Sequence, residues 1–238
     1  MKIIKLIVVA TLLFSACKKD AAIVDNQEEN VAQPDSGLSY LALGDSYTIG
    51  QNVTADQRWP VLLVKDLKKN RNAVRRPDII ATTGWLTTHL IYSLNAKPPV
   101  KKYDLVSLLI GVNNQYQGLS IDQFRKEFRE LLTKSTSYTG GDSSKVFVLS
   151  IPDWGVTLST SPANRDRIAK DIDHFNEVAK EECDKQNILF IDITPISRQA
   201  LDNPSMIASD GLHFSGKMHQ LWVDKVSPVI QQRINRNQ

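Results

Sequence analysis

The sequence predicts an α/β domain of three layers, α/β/α, built on a mainly parallel five-stranded sheet. Strand-like and helix-like segments alternate from about residue 38 to residue 235, the order that produces a parallel sheet with helical crossovers. Several strands, notably Val106–Ile110 (apolar but for Ser107) and Val146–Leu149, are continuously apolar rather than alternating, as a sheet covered on both faces requires. Short clusters of Gly, Asp, Asn and Ser follow several strands, and the carboxyl ends of strands are where such sheets bind ligands.

The first strand is Ser39–Leu43, part of an apolar run from Leu38, and it stops at the turn-forming Gly44-Asp45-Ser46. A helix is expected over Trp59–Lys69, then a strand at Asp78–Ala81 that exits into Thr82-Thr83-Gly84-Trp85. A helix at Thr87–Ser93 leads to the strand Leu105–Ile110 and its exit, Gly111-Val112-Asn113-Asn114. Next come a helix at Ile121–Leu132 and a strand at Lys145–Ile151, which runs out into Pro152-Asp153-Trp154-Gly155. The helix Asn164–Lys185 carries an apolar face of Ile168, Ile172, Phe175, Ala179 and Cys183, so Cys183 is expected in the core. The strand Ile188–Ile191 follows, and a last helix runs from Ser215 to about Ile234. Just before it lies Ser209-Asp210-Gly211-Leu212-His213.

The 238 residues, 42% hydrophobic and 23% charged, suit one globular domain at 38–238. What precedes it is different. Lys2 and Lys5, the apolar run Leu6–Phe14 and then Ser15-Ala16-Cys17 predict a signal peptide over 1–16. Ser15-Ala16-Cys17 resembles a bacterial lipoprotein box, which implies cleavage before Cys17, lipidation of its thiol and a membrane anchor in the periplasm or at the outer membrane or cell surface. Residues 17–37 are polar and aperiodic, the composition of a flexible tether. Loss of Lys2 and Lys5 with the signal segment lowers the formal charge from +3 to +1, so charge gives no reason to expect a nucleic-acid partner.

Four motifs occur in one order, three at strand exits and the last just before the final helix: Gly44-Asp45-Ser46, an isolated Gly84, Gly111-x-Asn113 and Asp210-x-x-His213. Together they resemble the SGNH, or GDSL, hydrolase family over essentially all of residues 38–235, and the Pro152–Thr157 segment is similar to one in its lipoprotein-type members. The resemblance implies a flavodoxin-like sheet and ester hydrolysis with no cofactor and no metal. Asn114 stands where the family usually has Asp, which touches loop support rather than the chemistry.

Acyl transfer needs a nucleophile, a base, a group that orients the base and donors for the developing oxyanion. Ser46 is expected as nucleophile, His213 as base and Asp210 as its orienting carboxylate. The backbone N–H groups of Ser46 and Gly84 and the side-chain amide of Asn113 are expected as donors. Trp85, Asn114 and Trp154, on the same edge, are candidate substrate contacts. Gly141-Asp142-Ser143 repeats the first motif at the entry of a strand, the wrong edge, and reads as a turn. Asp171-x-x-His174 repeats the last motif inside a helix and reads as a surface pair. His89 and His219 have no partner carboxylate at motif spacing and read as structural. The same residues serve an esterase for short acyl groups such as acetyl on carbohydrate, a lysophospholipase or thioesterase, and an acyltransferase. The other classes are a non-catalytic binding lipoprotein on this fold and a nucleotide binder, for which no Gly-x-Gly-x-x-Gly or Walker sequence is present.

Overall fold

Five parallel strands in the order β2-β1-β3-β4-β5 form the sheet in a computed structural model that describes residues 37–236, Arg71 excepted. The expected signal segment, Cys17 and the tether up to residue 36 lie outside the described residues. The elements are β1 (Tyr40–Gly44), α1 (Ser46–Ile49), α2 (Trp59–Lys69), β2 (Asp78–Ala81), α3 (Thr87–Ala96), β3 (Leu105–Leu109), α4 (Val112–Tyr116), α5 (Ile121–Tyr138), β4 (Val146–Leu149), α6 (Arg165–Lys185), β5 (Leu189–Ile191), α7 (Thr194–Ser197) and α8 (Gly216–Arg236). Among the described residues no helix is long and apolar enough to cross a membrane.

The mostly apolar strands occupy the middle. Every residue of β1, β3 and β4 is buried, whereas the edge strands β2 and β5 are partly exposed. The chain steps from β1 to β2 in one direction and from β2 back across to β3 in the other. Right-handed crossovers then place the connecting helices on opposite faces. Accordingly α2 packs with α8, while α3 and α6 pack against α5. Trp59 and Phe147 meet edge to face at 6.4 Å, and Phe124 stacks obliquely on Phe175 at 4.8 Å. Each such burial stabilises the fold by about 1.5–3 kcal/mol. Cys183 is fully buried, and burial pushes its thiol pKa up, away from reactivity.

Two features differ from the sequence expectation. The helix expected to end at Leu132 continues to Tyr138, because its last turns still bury Ser135, whose hydroxyl is satisfied by the Leu131 carbonyl (2.8 Å), and pack Tyr138 against the core. The short helices α1, α4 and α7 were not expected, since four or five residues carry no readable period. The order reversal between β1 and β3 opens a crevice at their carboxyl ends.

Candidate active site

Ser46 begins α1 directly after β1. The strand must end there: a Cβ on Gly44 would lie 2.2 Å from Thr48 Oγ1 and 2.4 Å from the Leu109 carbonyl oxygen, so only glycine lets α1 fold back this tightly. Asp45 caps α1, its carboxylate accepting the Tyr47 N–H (3.0 Å) and its carbonyl the Thr48 and Ile49 N–H groups. Ser46 is almost buried, at 4% exposure.

Asp45 itself is fully buried. Burial raises its carboxyl to about 7, against the opposing hydrogen bonds from the backbone N–H groups of Tyr47 and Gly111. A carboxyl raised in the folded state stabilises the fold below its ordinary value of 3.8 and loses that contribution as pH rises through about 7. Wild-type protein is therefore expected to lose stability relative to Asp45→Asn between about pH 4 and about pH 8. Thermal melts of both across that range check it; parallel curves would mean that Asp45 does not titrate there.

The late loop supplies the second part. Ile207 and Phe214 form an antiparallel bridge, and the Ala208 N–H reaches the His213 carbonyl at 2.7 Å, closing a tight loop over 208–213. Inside it Asp210 Oδ1 accepts the N–H groups of Leu212 (3.0 Å) and His213 (2.9 Å). Asp210 Oδ2 lies 2.5 Å from His213 Nδ1. Burial acts to raise the Asp210 carboxyl, but the His213 ring and these two N–H groups outweigh it and hold it at about 2. Asp210 is thus an ionised acceptor at neutral pH. It keeps the proton of His213 on Nδ1 and leaves Nε2 as the basic nitrogen. Tyr47 packs edge-on to the His213 ring at 6.0 Å and against Phe214 and Trp222, giving the loop an aromatic floor.

The other strand exits carry the expected donors. Asn113, on α4 after β3, donates from its side-chain amide to the Trp85 carbonyl (3.0 Å). That bond ties the β3 exit to the β2 exit. Gly84 sits at the third position of the Thr82–Trp85 turn with φ +81°, the left-handed value that a type II turn asks of glycine.

Ser46, Asn113 and His213 line one cleft of about 150 Å³ together with Tyr47, Val112, Tyr116, Trp154 and Leu212. Among the described residues Ser46 and His213 are not hydrogen-bonded to each other; such bonds commonly tighten when substrate binds. Trp154, expected at this edge, is held by Nε1–H donation to Gln115 Oε1 (2.7 Å) and meets Tyr116 edge to face at 4.8 Å. Gly84 and Trp85 line a neighbouring groove with His89 and Tyr92, and the Asn113–Trp85 bond joins that turn to this cleft.

Asn114 is a correction. It was expected as a substrate contact, yet it is 1% exposed and absent from the cleft wall. Its Oδ1 accepts the Thr87 N–H (3.1 Å) and its amide donates to Thr87 Oγ1 (2.7 Å). Thr87 Oγ1 in turn donates to Glu127. Asn114 thereby satisfies an otherwise free N–H at the start of α3, its amide supplying both the donor and the acceptor for the two Thr87 contacts.

The repeated motifs lie elsewhere. Ser143 starts a short 3₁₀ turn at the entry of β4. His174 faces Glu177 at 3.7 Å while Asp171 pairs with Arg167 at 3.1 Å. His89 Nδ1 accepts the Leu86 N–H (3.2 Å) at the start of α3. His219 is buried against the Gln57 carbonyl (3.1 Å), and burial lowers its pKa to about 4, so it stays neutral. Two contributors escaped the sequence reading. Tyr116 follows Asn113 by three residues, a spacing that places both on one side of a helix. Asn52 donates from its amide to Asp210 Oδ2.

Comparison with known proteins matches residues 42–221 to the model of the GDSL-like lipase/acylhydrolase family. No curated protein matches the chain. Among solved structures, a psychrotrophic esterase from Pseudoalteromonas sp. is 16% identical with a TM-score of 0.65, over 83% of this chain and 99% of that one. A lipase/acylhydrolase from Enterococcus faecalis is 22% identical with a TM-score of 0.59, over 82% and 97%. An acetylxylan esterase from Geobacillus stearothermophilus is 18% identical with a TM-score of 0.62, over 84% and 94%.

Proposed function

Because the chain belongs to the GDSL-like lipase/acylhydrolase family, and is thus a hydrolase acting on esters, we propose that it works through an acyl-enzyme on Ser46 and prefers short acyl groups such as acetyl on carbohydrate. The pairing of His213 Nδ1 with Asp210 beside Ser46 in one cleft carries the mechanism. His213 Nε2 takes the Ser46 proton as Oγ attacks the ester carbonyl carbon. The carbonyl oxygen gains the negative charge and is met by the second N–H of the Asn113 amide and the N–H groups of Ser46 and Gly84. Collapse breaks the bond to the alcohol, which leaves with the proton from Nε2. Water then attacks the acyl-Ser46 ester with His213 again as base, releasing the carboxylic acid and restoring the serine.

The preference for short acyl groups rests on the cleft wall. Tyr116 and Trp154 brace each other, and Gln115 holds Trp154, across a space of about 150 Å³. That is too small to bury most of a long acyl chain, given that pockets for drug-sized ligands run to about 300–1,000 Å³. The acetylxylan esterase that shares this fold gives the reading a substrate to try. Nitrophenyl acetate, butyrate, octanoate and laurate, with acetylated xylo-oligosaccharide beside them, form the test. Acetate is expected to have the highest kcat/KM, and Tyr116→Ala to shift the preference towards octanoate by about tenfold, the worth of one or two methylenes. A wild-type optimum at laurate would overturn the reading.

A further inference from the structure

We propose that Asn52 is a positioning residue for the His213–Asp210 pair, held in place by a short strap that runs from the nucleophile turn to the Gly84 turn. The proposal rests on the triad assigned above. The strap, Gly50–Val53, leaves α1 where the N–H groups of Gly50 (3.0 Å) and Gln51 (2.9 Å) both bond the Ser46 carbonyl. Gln51 Oε1 then accepts the Thr83 hydroxyl at 2.6 Å, beside Gly84. Asn52 takes φ +60°, a left-handed conformation that costs most residues about 1–2 kcal/mol but that Asn tolerates. In that conformation its amide donates to Asp210 Oδ2, the oxygen that also holds His213 Nδ1. The other Asp210 oxygen is already taken by two backbone N–H groups. Asn52 thus completes the set of donors around the carboxylate and restricts its rotation. A single four-residue path touches the nucleophile, the acid and the oxyanion turn.

Rotating Asp210 would misdirect the imidazole without affecting substrate binding, so the effect belongs in kcat rather than KM. The other titratable groups facing the pair are Tyr47, edge-on to His213, and His219, which interacts electrostatically with it; the variants leave both in place. Asn52→Gly keeps the left-handed backbone and deletes only the amide. Asn52→Asp keeps the side-chain shape and puts a second carboxylate beside Asp210. Asn52→Gly is expected to lower kcat about three- to tenfold with KM nearly unchanged, the worth of one solvent-exposed hydrogen bond. Asn52→Asp is expected to lower kcat and also to move the acid limb of the kcat/KM profile to higher pH, because extra negative charge stabilises the imidazolium. Thermal melts, and titration of active sites with a fluorophosphonate, express each kcat per folded enzyme. Wild-type kcat and pH profile in both variants, with Ser46→Ala inactive, would overturn the role of Asn52 alone, including where the melting temperature falls. Activity retained in Ser46→Ala would overturn the triad beneath it.

Discussion

Replacing Ser46 or His213 by Ala is expected to lower kcat by roughly 10⁴- to 10⁶-fold, and replacing both to cost little more than either. The non-additivity is the informative part. Without Ser46 the base has no nucleophile to activate, and without His213 the hydroxyl keeps its proton, so each loss disables the same step. Asp210→Asn is expected to be comparable or milder. Asp210 Oδ2 meets Nδ1 at 2.5 Å, and an amide there can donate to Nδ1, which leaves the proton on Nε2 and removes the base. In the wild type activity is expected to fall on the acid side, since an imidazolium cannot accept the serine proton. Ser143→Ala, at the far edge of the sheet, serves as the control, with kcat/KM unchanged. A folded Ser46→Ala enzyme that still turns over, alongside an inactive Ser143→Ala, would reverse the assignment.

Asn113→Ala is expected to lower kcat by about 10²–10³-fold with a smaller change in KM, the usual result of removing one oxyanion donor. The structure adds a reason for care in reading it. One amide hydrogen of Asn113 already bonds the Trp85 carbonyl, so the substitution also frees the turn that carries Gly84. Asn113→Asp also loses both donations, because it cannot bond the Trp85 carbonyl either. A carboxylate keeps the shape but cannot donate, and it repels the oxyanion, so it is expected to be worse than Ala. If Asn113→Ala retained full kcat in folded protein, the side chain would be a turn support only.

The sheet was legible because β4 is apolar at every position and β3 at all but Ser107, a pattern set by burial on both faces rather than by any long-range contact. The edge strand β2 was legible for a different reason, its position between two helical patterns. Ser46, Asp210 and His213 stood out as candidates because four short motifs occur in the order of one family, not because any one turn marks them. Asn114 was misread because its neighbour Asn113 faces the cleft, and a helical turn sends adjacent side chains in different directions. Asn52 carried no local signal: an exposed Asn in a turn is ordinary, and its partner Asp210 lies 158 positions away. The cleft-facing role of Tyr116 depends on α4, a helix too short to show a period.

The strand order has a consequence for how this site comes into being. Ser46 leaves the second strand in space and Asn113 the third, while Asp210 and His213 arrive only after the last strand has been laid down. No two neighbouring segments hold the whole set, and pairings this distant in sequence close late because the entropy of long loops must be met first. Turnover is therefore a property of the finished sheet: helices and single crossovers form without it, and a chain cut before its final loop carries the nucleophile but no base.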